Sequence, residues 1–256
     1  MHYLNKFSRK NGEDAVSPVV GVMLMLVVTI IIAAVVSAFA GGLIGGASKS
    51  PSLSMDVRVV NTGTYMGSGF FASVTGVSDA VSTKDLKIVT AWKTTNRTDN
   101  TPLVGGNTSI GGITNSNCWV GMKTTAVVNG VVPYGYGSGI SGSQDSKAET
   151  SGDQFFGNYS LIQGTTMGAY PYGSASGTAI GGYPGIGDVN GYGVTTAYNY
   201  NITSSGTFDT TQIDPAQAVL GTGWENLRAG DTVNVKVIYI PSGQTIYQKA
   251  ATVTGA

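Results

Sequence analysis

The chain has 256 residues, enough for one anchor segment and one domain of ordinary size. Only 11% of its residues are charged, its formal net charge is zero, and 38 residues are glycine. No basic stripe is present, which argues against nucleic-acid binding because phosphate neutralisation needs clustered Lys and Arg; a composition this rich in Gly, Ser, Thr, Asn and Tyr points to an extracellular β-domain with many turns.

The N-terminal segment carries Lys6, Arg9 and Lys10, then Glu13-Asp14-Ala15, and from Ala15 through Ser48 no residue is charged. Residues 16–44 are almost continuously apolar. As a helix they would be roughly 43 Å long, against a hydrocarbon core of about 30 Å. A secretory signal has a much shorter apolar region with its cleavage site after it. The basic residues before the run should stay cytoplasmic. These features predict a single-pass anchor with the large C-terminal domain outside.

The junction has one further feature: a small residue, Ala15, stands where polar chain meets apolar chain on the cytoplasmic side. Asp14-Ala15 followed by Val16 and then Ser17-Pro18-Val19-Val20-Gly21-Val22-Met23-Leu24-Met25 resembles the start of the euryarchaeal type IV pilins. The resemblance covers about the first 46 residues. It implies a prepilin leader, residues 1–15, removed by a prepilin peptidase between Ala15 and Val16. It also implies a membrane-held precursor, and then polymerisation with identical subunits into a helical surface filament through residues 16–46, aided by pilus assembly machinery and serving adhesion to a surface or cell target. Bacterial type IV pilins carry an early glutamate where this chain has Val20, which favours the archaeal families. Archaellins share the leader logic without this Ser-Pro-Val start and rank second.

An all-round apolar helix must be buried in lipid or protein, and a bundle of identical helices is one such place. Pro18 suits the first helical turn. Gly21, Val28 and Ile31 belong to the filament-core stretch. Gly41, Gly42, Gly45 and Gly46 read as a hinge that ends the helix, in preference to close-packing pairs. Thr29 can return its hydroxyl to the helix backbone.

Residues 47–256 read as the extracellular domain. Leu53 to Val59 alternates apolar with polar, as a half-buried strand does, and Leu86 to Trp92 gives another. A third strand is predicted around Thr125 to Val132, interrupted by Asn129-Gly130. Thr232 to Ile240, a turn at Pro241-Ser242-Gly243, and Gln244 to Thr254 form a predicted β-hairpin. The fold class expected is α+β: a long N-terminal apolar helix, then a mostly antiparallel β-sandwich or small barrel with little or no further helix. Residues 133–200 are Gly/Tyr-rich and read as long loops with short strands, whose tyrosines either form contact surfaces or pack their own domain.

Chemistry is sparse. The only histidine is His2, within the predicted leader, so neither a catalytic triad nor a His-containing metal site is expected, and no cofactor is implied. Asp188-Val189-Asn190-Gly191 lacks the remaining ligands of a calcium loop. Cys118 has no intrachain partner and reads as a small buried hydrophobe, the alternative being an intermolecular bridge. Asn96, Asn107, Asn158 and Asn201 stand in Asn-x-Ser/Thr sequons and are candidate glycan sites. The leading reading is a non-enzymatic filament subunit. The alternatives are a single-pass, membrane-tethered surface glycoprotein or binding module that does not polymerise, and a tethered hydrolase, against which the missing histidines count.

Overall fold

A computed structural model of the chain describes residues 18–45, 50–119, 127–141, 152–172, 192–193, 198 and 212–255. The chain divides into two units, Met1–Ser48 and Lys49–Ala256. The first contains helix α1, Pro18–Gly45.

The second unit is built on one sheet of nine strands among the described residues. In chain order the strands of this unit are β1 (Leu53–Val60), β2 (Gly69–Val77), β3 (Val81–Ser82), β4 (Leu86–Thr95), β5 (Pro102–Gly105), β6 (Thr108–Ile110), β7 (Ser116–Trp119), β8 (Val127–Gly130), β9 (Tyr134–Gly137), β10 (Ser160–Leu161), β11 (Thr165–Ala169), β12 (Thr232–Tyr239) and β13 (Gln244–Thr254). The large sheet runs β5-β4-β12-β13-β1-β2-β11-β9, with β6 also on β4; β3 pairs β10 and β7 pairs β8. All pairings are antiparallel except β1 with β13, which meet only at Val59 beside Val253 and Val60 beside Thr254. The terminal hairpin forms as its turn chemistry predicts, with Gly243 at φ +67° and its N–H donating to the Ile240 carbonyl at 3.2 Å.

The alternation read in the sequence decides which face is inside. Leu53, Met55, Val57 and Val59 of β1 and Val233, Val235 and Val237 of β12 are buried, while Ser54, Asp56 and Arg58 are exposed. Each such burial contributes about 1.5–3 kcal/mol. On β4 the inward set is Leu86, Ile88, Thr90 and Trp92. The threonine is the polar exception in that row, and a helix explains it.

That helix, α2 (Pro215–Leu220), is not expected from the sequence after the anchor, and all six of its residues are buried. It packs against β4 and β6, against β2 and β11, and against β7. In the sheet β4 and β2 are four strand spacings apart, about 19 Å if flat. A helix about 10 Å across touches both only if the sheet curves over it. The result is a curved open sheet around a buried helix; no closed barrel forms among the described residues.

A buried helix end must satisfy its last carbonyls. Here Gln217 O accepts from Gly221 N at 2.8 Å, Ala218 O from Asn107 Nδ2 at 3.0 Å, Val219 O from Thr90 Oγ1 at 2.6 Å, and Leu220 O from Trp92 Nε1 at 2.6 Å. The strand that carries the core's apolar row therefore also carries the helix's C-terminal cap. Gly106, at φ +142°, lets the loop that carries Asn107 lie close on β4: a Cβ there would collide with the Thr90 carbonyl oxygen. At the other end Asp214 closes a capping box, its carboxylate accepting from Gln217 N at 2.7 Å.

The strand predicted near residues 125–132 is corrected in one respect. Asn129-Gly130 lies inside β8, paired with Ser116 and Asn117, and does not interrupt it. Residues 125 and 126 lie outside the described ones.

Candidate functional site

Helix α1 is the described element of the first unit. It is 28 residues long with no acidic residue in its first turn and no basic residue in its last. At 1.5 Å per residue it extends about 42 Å. Much of it is Val and Ile, which are ordinary helix formers at best in water. An apolar surrounding removes the competition of water for the backbone and favours the helix whatever the side chains. Thr29 Oγ1 donates to Leu26 O at 2.9 Å, so its hydroxyl needs no outside partner. From Val19 to Ala38 the helix is long and apolar enough to cross a membrane, and every residue of that stretch is exposed. A surface of this kind marks an interaction with lipid or protein.

The residues singled out in the sequence fall as follows. Pro18 is the first residue of α1, and Gly21, Val28 and Ile31 lie along it, with Val28 44% and Ile31 56% exposed. Gly41, Gly42 and Gly45 are helical, at the C-terminal end of α1. Asp14, Ala15, Val16 and Gly46 lie outside the described residues, as do His2 and the Asp188–Gly191 stretch. Cys118 is a backbone member of β7, opposite Val128. Among the described residues no group of three or more His, Cys, Asp or Glu could hold a metal ion.

The tyrosines of the Gly/Tyr-rich stretch turn inward where they are described. Tyr134, Tyr172 and Tyr192 are buried, and Tyr136, Tyr170 and Tyr198 are half-buried. Tyr192 is the best placed to explain why. Its OH donates to Asn61 Oδ1 at 2.8 Å, and its ring packs on Trp224 with centroids 5.1 Å apart. Asn61 Nδ2 in turn donates to the carbonyls of Glu225 at 3.0 Å and Leu227 at 2.8 Å, while Gly63 N donates to its Oδ1 at 3.0 Å. The Asn61 N–H donates to Thr254 O at 2.8 Å. One asparagine side chain thus ties the end of β1 to the 223–227 loop and to Tyr192, beside the end of β13. Sequence reasoning missed it because all but one of its side-chain partners are far away along the chain. Burial, with the Glu225 charge as the next cause, pushes the Tyr192 phenol up to about 12.

The sequons differ in what their amides do. Asn96 Oδ1 accepts from Thr98 N at 2.8 Å in an exposed turn. Asn107 Nδ2 is engaged with α2, and its sequon serine, Ser109, is buried. Asn158 is exposed, its Nδ2 donating to Gly152 O at 2.7 Å. Asn201 lies outside the described residues.

Comparison with known families bears on the first unit. A family model described as archaeal type IV pilin, N-terminal, matches residues 14–55. No curated protein matches the chain. The matched residues contain the whole of α1. In this N-terminal segment, residues 14–55, the chain is similar to the archaeal type IV pilins.

Proposed function

We propose that the chain is the structural subunit of an archaeal type IV pilus and not an enzyme. A prepilin peptidase cuts the leader, residues 1–15, between Ala15 and Val16. Residues 16–46 hold the precursor in the cell membrane and then pack with the same segment of identical subunits in the filament. Gly41, Gly42, Gly45 and Gly46 form the hinge to the extracellular domain, residues 47–256, which faces outward on the cell surface and serves adhesion.

The single observation that carries this reading is the exposed apolar surface of α1 from Val19 to Ala38, within the segment matched by the pilin model. Lipid and a bundle of like helices are both apolar, so transfer between them is decided by packing and not by loss of contact with water. A helix suited to one is suited to the other, which is what a subunit that waits in a membrane and then polymerises requires. A non-closing contact between identical subunits generates a helical array, which the pilus assembly machinery helps to build.

The experiment is Val28→Asp, tested in cells by electron microscopy of surface filaments. A charge in mid-helix costs about 3 kcal/mol or more in an apolar surrounding. The expected result is loss of filaments, with Val28→Leu assembling normally. Filaments at the wild-type level from the Asp variant would overturn the buried helical core. Absence of filaments from wild-type cells, with the protein held in the membrane fraction, would favour the non-polymerising tethered surface protein.

A further inference from the structure

The outer face of the sheet carries an open depression of about 430 Å³ where β12 begins, lined by Ala91 and Lys93 of β4 and by Asp231, Thr232 and Asn234. That volume falls within the range of about 300–1,000 Å³ usual for small-ligand sites. Its floor is low because Asn234 stands between two alanines, Ala91 on β4 and Ala250 on β13.

The polar groups that line it are unspent. Lys93, Thr232 and Asn234 are exposed, and among the described residues none of their side chains makes a hydrogen bond. Asp231 is half-buried and held in place: its Oδ2 accepts from Thr94 Oγ1 at 2.7 Å and from Arg228 N at 2.8 Å, which leaves Oδ1. Lys93 and Asp231 line the same depression yet form no ion pair; the one ion pair among the described residues is Lys249 with Asp56, at 3.7 Å. By contrast, Asn61, Asn107, Asn115 and Asn226 each spend their amides inside the fold.

We infer that this depression binds a neutral hexose unit of a surface glycan, with Asp231 and Asn234 as the residues that meet its hydroxyls.

A sugar hydroxyl donates and accepts at once, so it needs both kinds of group side by side. Asn234 offers one of each, Thr232 a hydroxyl, Lys93 donors and Asp231 an acceptor. Thr94 and Arg228 fix that acceptor beforehand, so little freedom is lost on binding. The opposite charges of Lys93 and Asp231 offset one another, so the lining favours a neutral ligand over an anionic polymer. The flanking alanines let a ring lie close to the sheet. The site is level with the Val60 end of β1, about 23 Å along that strand from Leu53, where the chain enters the domain. It therefore lies at the end remote from the linker, where a contact with an outside surface would be made. This names a target class for the adhesive role proposed above and rests on that role. Binding is read on unpolymerised protein, so loss of sugar binding and loss of filaments are separate outcomes.

The test uses full-length protein, in a detergent without a sugar head group, on polymer beads that carry mannose, galactose or glucose. The wild type should be retained on at least one of the three and released by the same free sugar. Asn234→Val keeps a strand-forming side chain and removes the amide. Its retention should fall about five- to tenfold, as the loss of one or two hydrogen bonds gives. Lys93→Gln should also weaken retention, whereas Lys236→Gln, on the same strand but outside the depression, should not. No retention of the wild type on any of the three beads overturns the site. So does wild-type retention by a folded Asn234→Val or Lys93→Gln variant, with folding checked by circular dichroism. Retention on carboxylate-bearing beads alone, lost with added salt, overturns the sugar assignment in favour of an anionic partner.

Discussion

The indole Nε1 of Trp92, on strand β4, donates to the carbonyl of Leu220 at the end of the buried helix α2, at 2.6 Å. Two residues earlier on the same strand, Thr90 does the same for Val219. The sheet therefore holds its internal helix by the last turn as well as by apolar contact. Both Trp92 and Leu220 are buried, so the carbonyl has no water to fall back on.

Trp92→Phe keeps most of the apolar ring and removes the donor. Leaving a buried carbonyl unpaired costs about 1–3 kcal/mol, and the smaller ring adds a cavity cost. Thr90→Val, nearly isosteric, removes the donor to Val219 and with it the acceptor of the Asn107 N–H at 3.0 Å. Both variants should lower the thermal unfolding midpoint of the detergent-solubilised protein, read by circular dichroism in the β-sheet region. Ala91→Ser, at the exposed position between them, is the control and should leave the midpoint unchanged. A Thr90→Val midpoint equal to wild type would mean that the Val219 carbonyl is satisfied in another way.

Alkali should undo the domain at Tyr192. A phenol raised on folding contributes stability that is intact below its ordinary value of 10 and is lost as pH rises toward the folded value of about 12. Tyr192→Phe gives up the hydrogen bond to Asn61, about 1 kcal/mol at neutral pH, but has no phenol there to ionise. The wild type should lose stability between pH 10 and about 12 more steeply than Tyr192→Phe, as measured by denaturant unfolding at each pH. Parallel profiles would place the alkaline transition elsewhere, for example at Tyr159, whose phenol burial also raises well above the usual range.

How much of this is legible in the sequence follows the length and regularity of each element. Helix α1 can be read because its apolar run far exceeds any core helix, and β1 and β12 because their alternation is strict over many residues. Strand β2 escapes such a reading: Gly69-Phe70-Phe71-Ala72 opens it without alternation, and Gly76 precedes its end. Helix α2 has six residues, too few to show a period. Its start is nevertheless written in Asp214-Pro215 with Gln217, the capping-box pattern with proline at the first helical position. The polar threonine in the apolar row of β4 is the second available sign, since a buried hydroxyl on an inward face needs a partner. The inward turn of Tyr134, Tyr172 and Tyr192 is not legible, because it depends on partners such as Asn61 that are distant in sequence. The leader junction is legible only as a resemblance, since Asp14, Ala15 and Val16 lie outside the described residues.

Glycan occupancy should separate the sequons by geometry. Asn96 is half-buried at the start of an exposed turn and Asn107 is exposed, but the Asn107 amide donates to the end of α2 and Ser109 is buried. In protein purified from the native cell surface, peptide mapping by mass spectrometry should find Asn96 modified and Asn107 bare. A glycan on Asn107 would require that it be attached before α2 docks, and would count against the assignment.

The central claim, that this is a processed filament subunit, is tested most directly by mass spectrometry of the N-terminus of protein sheared from the cell surface. The account predicts a chain beginning at Val16, in a fraction that contains thin filaments. A chain that keeps residues 1–15 and stays with the membrane would contradict it.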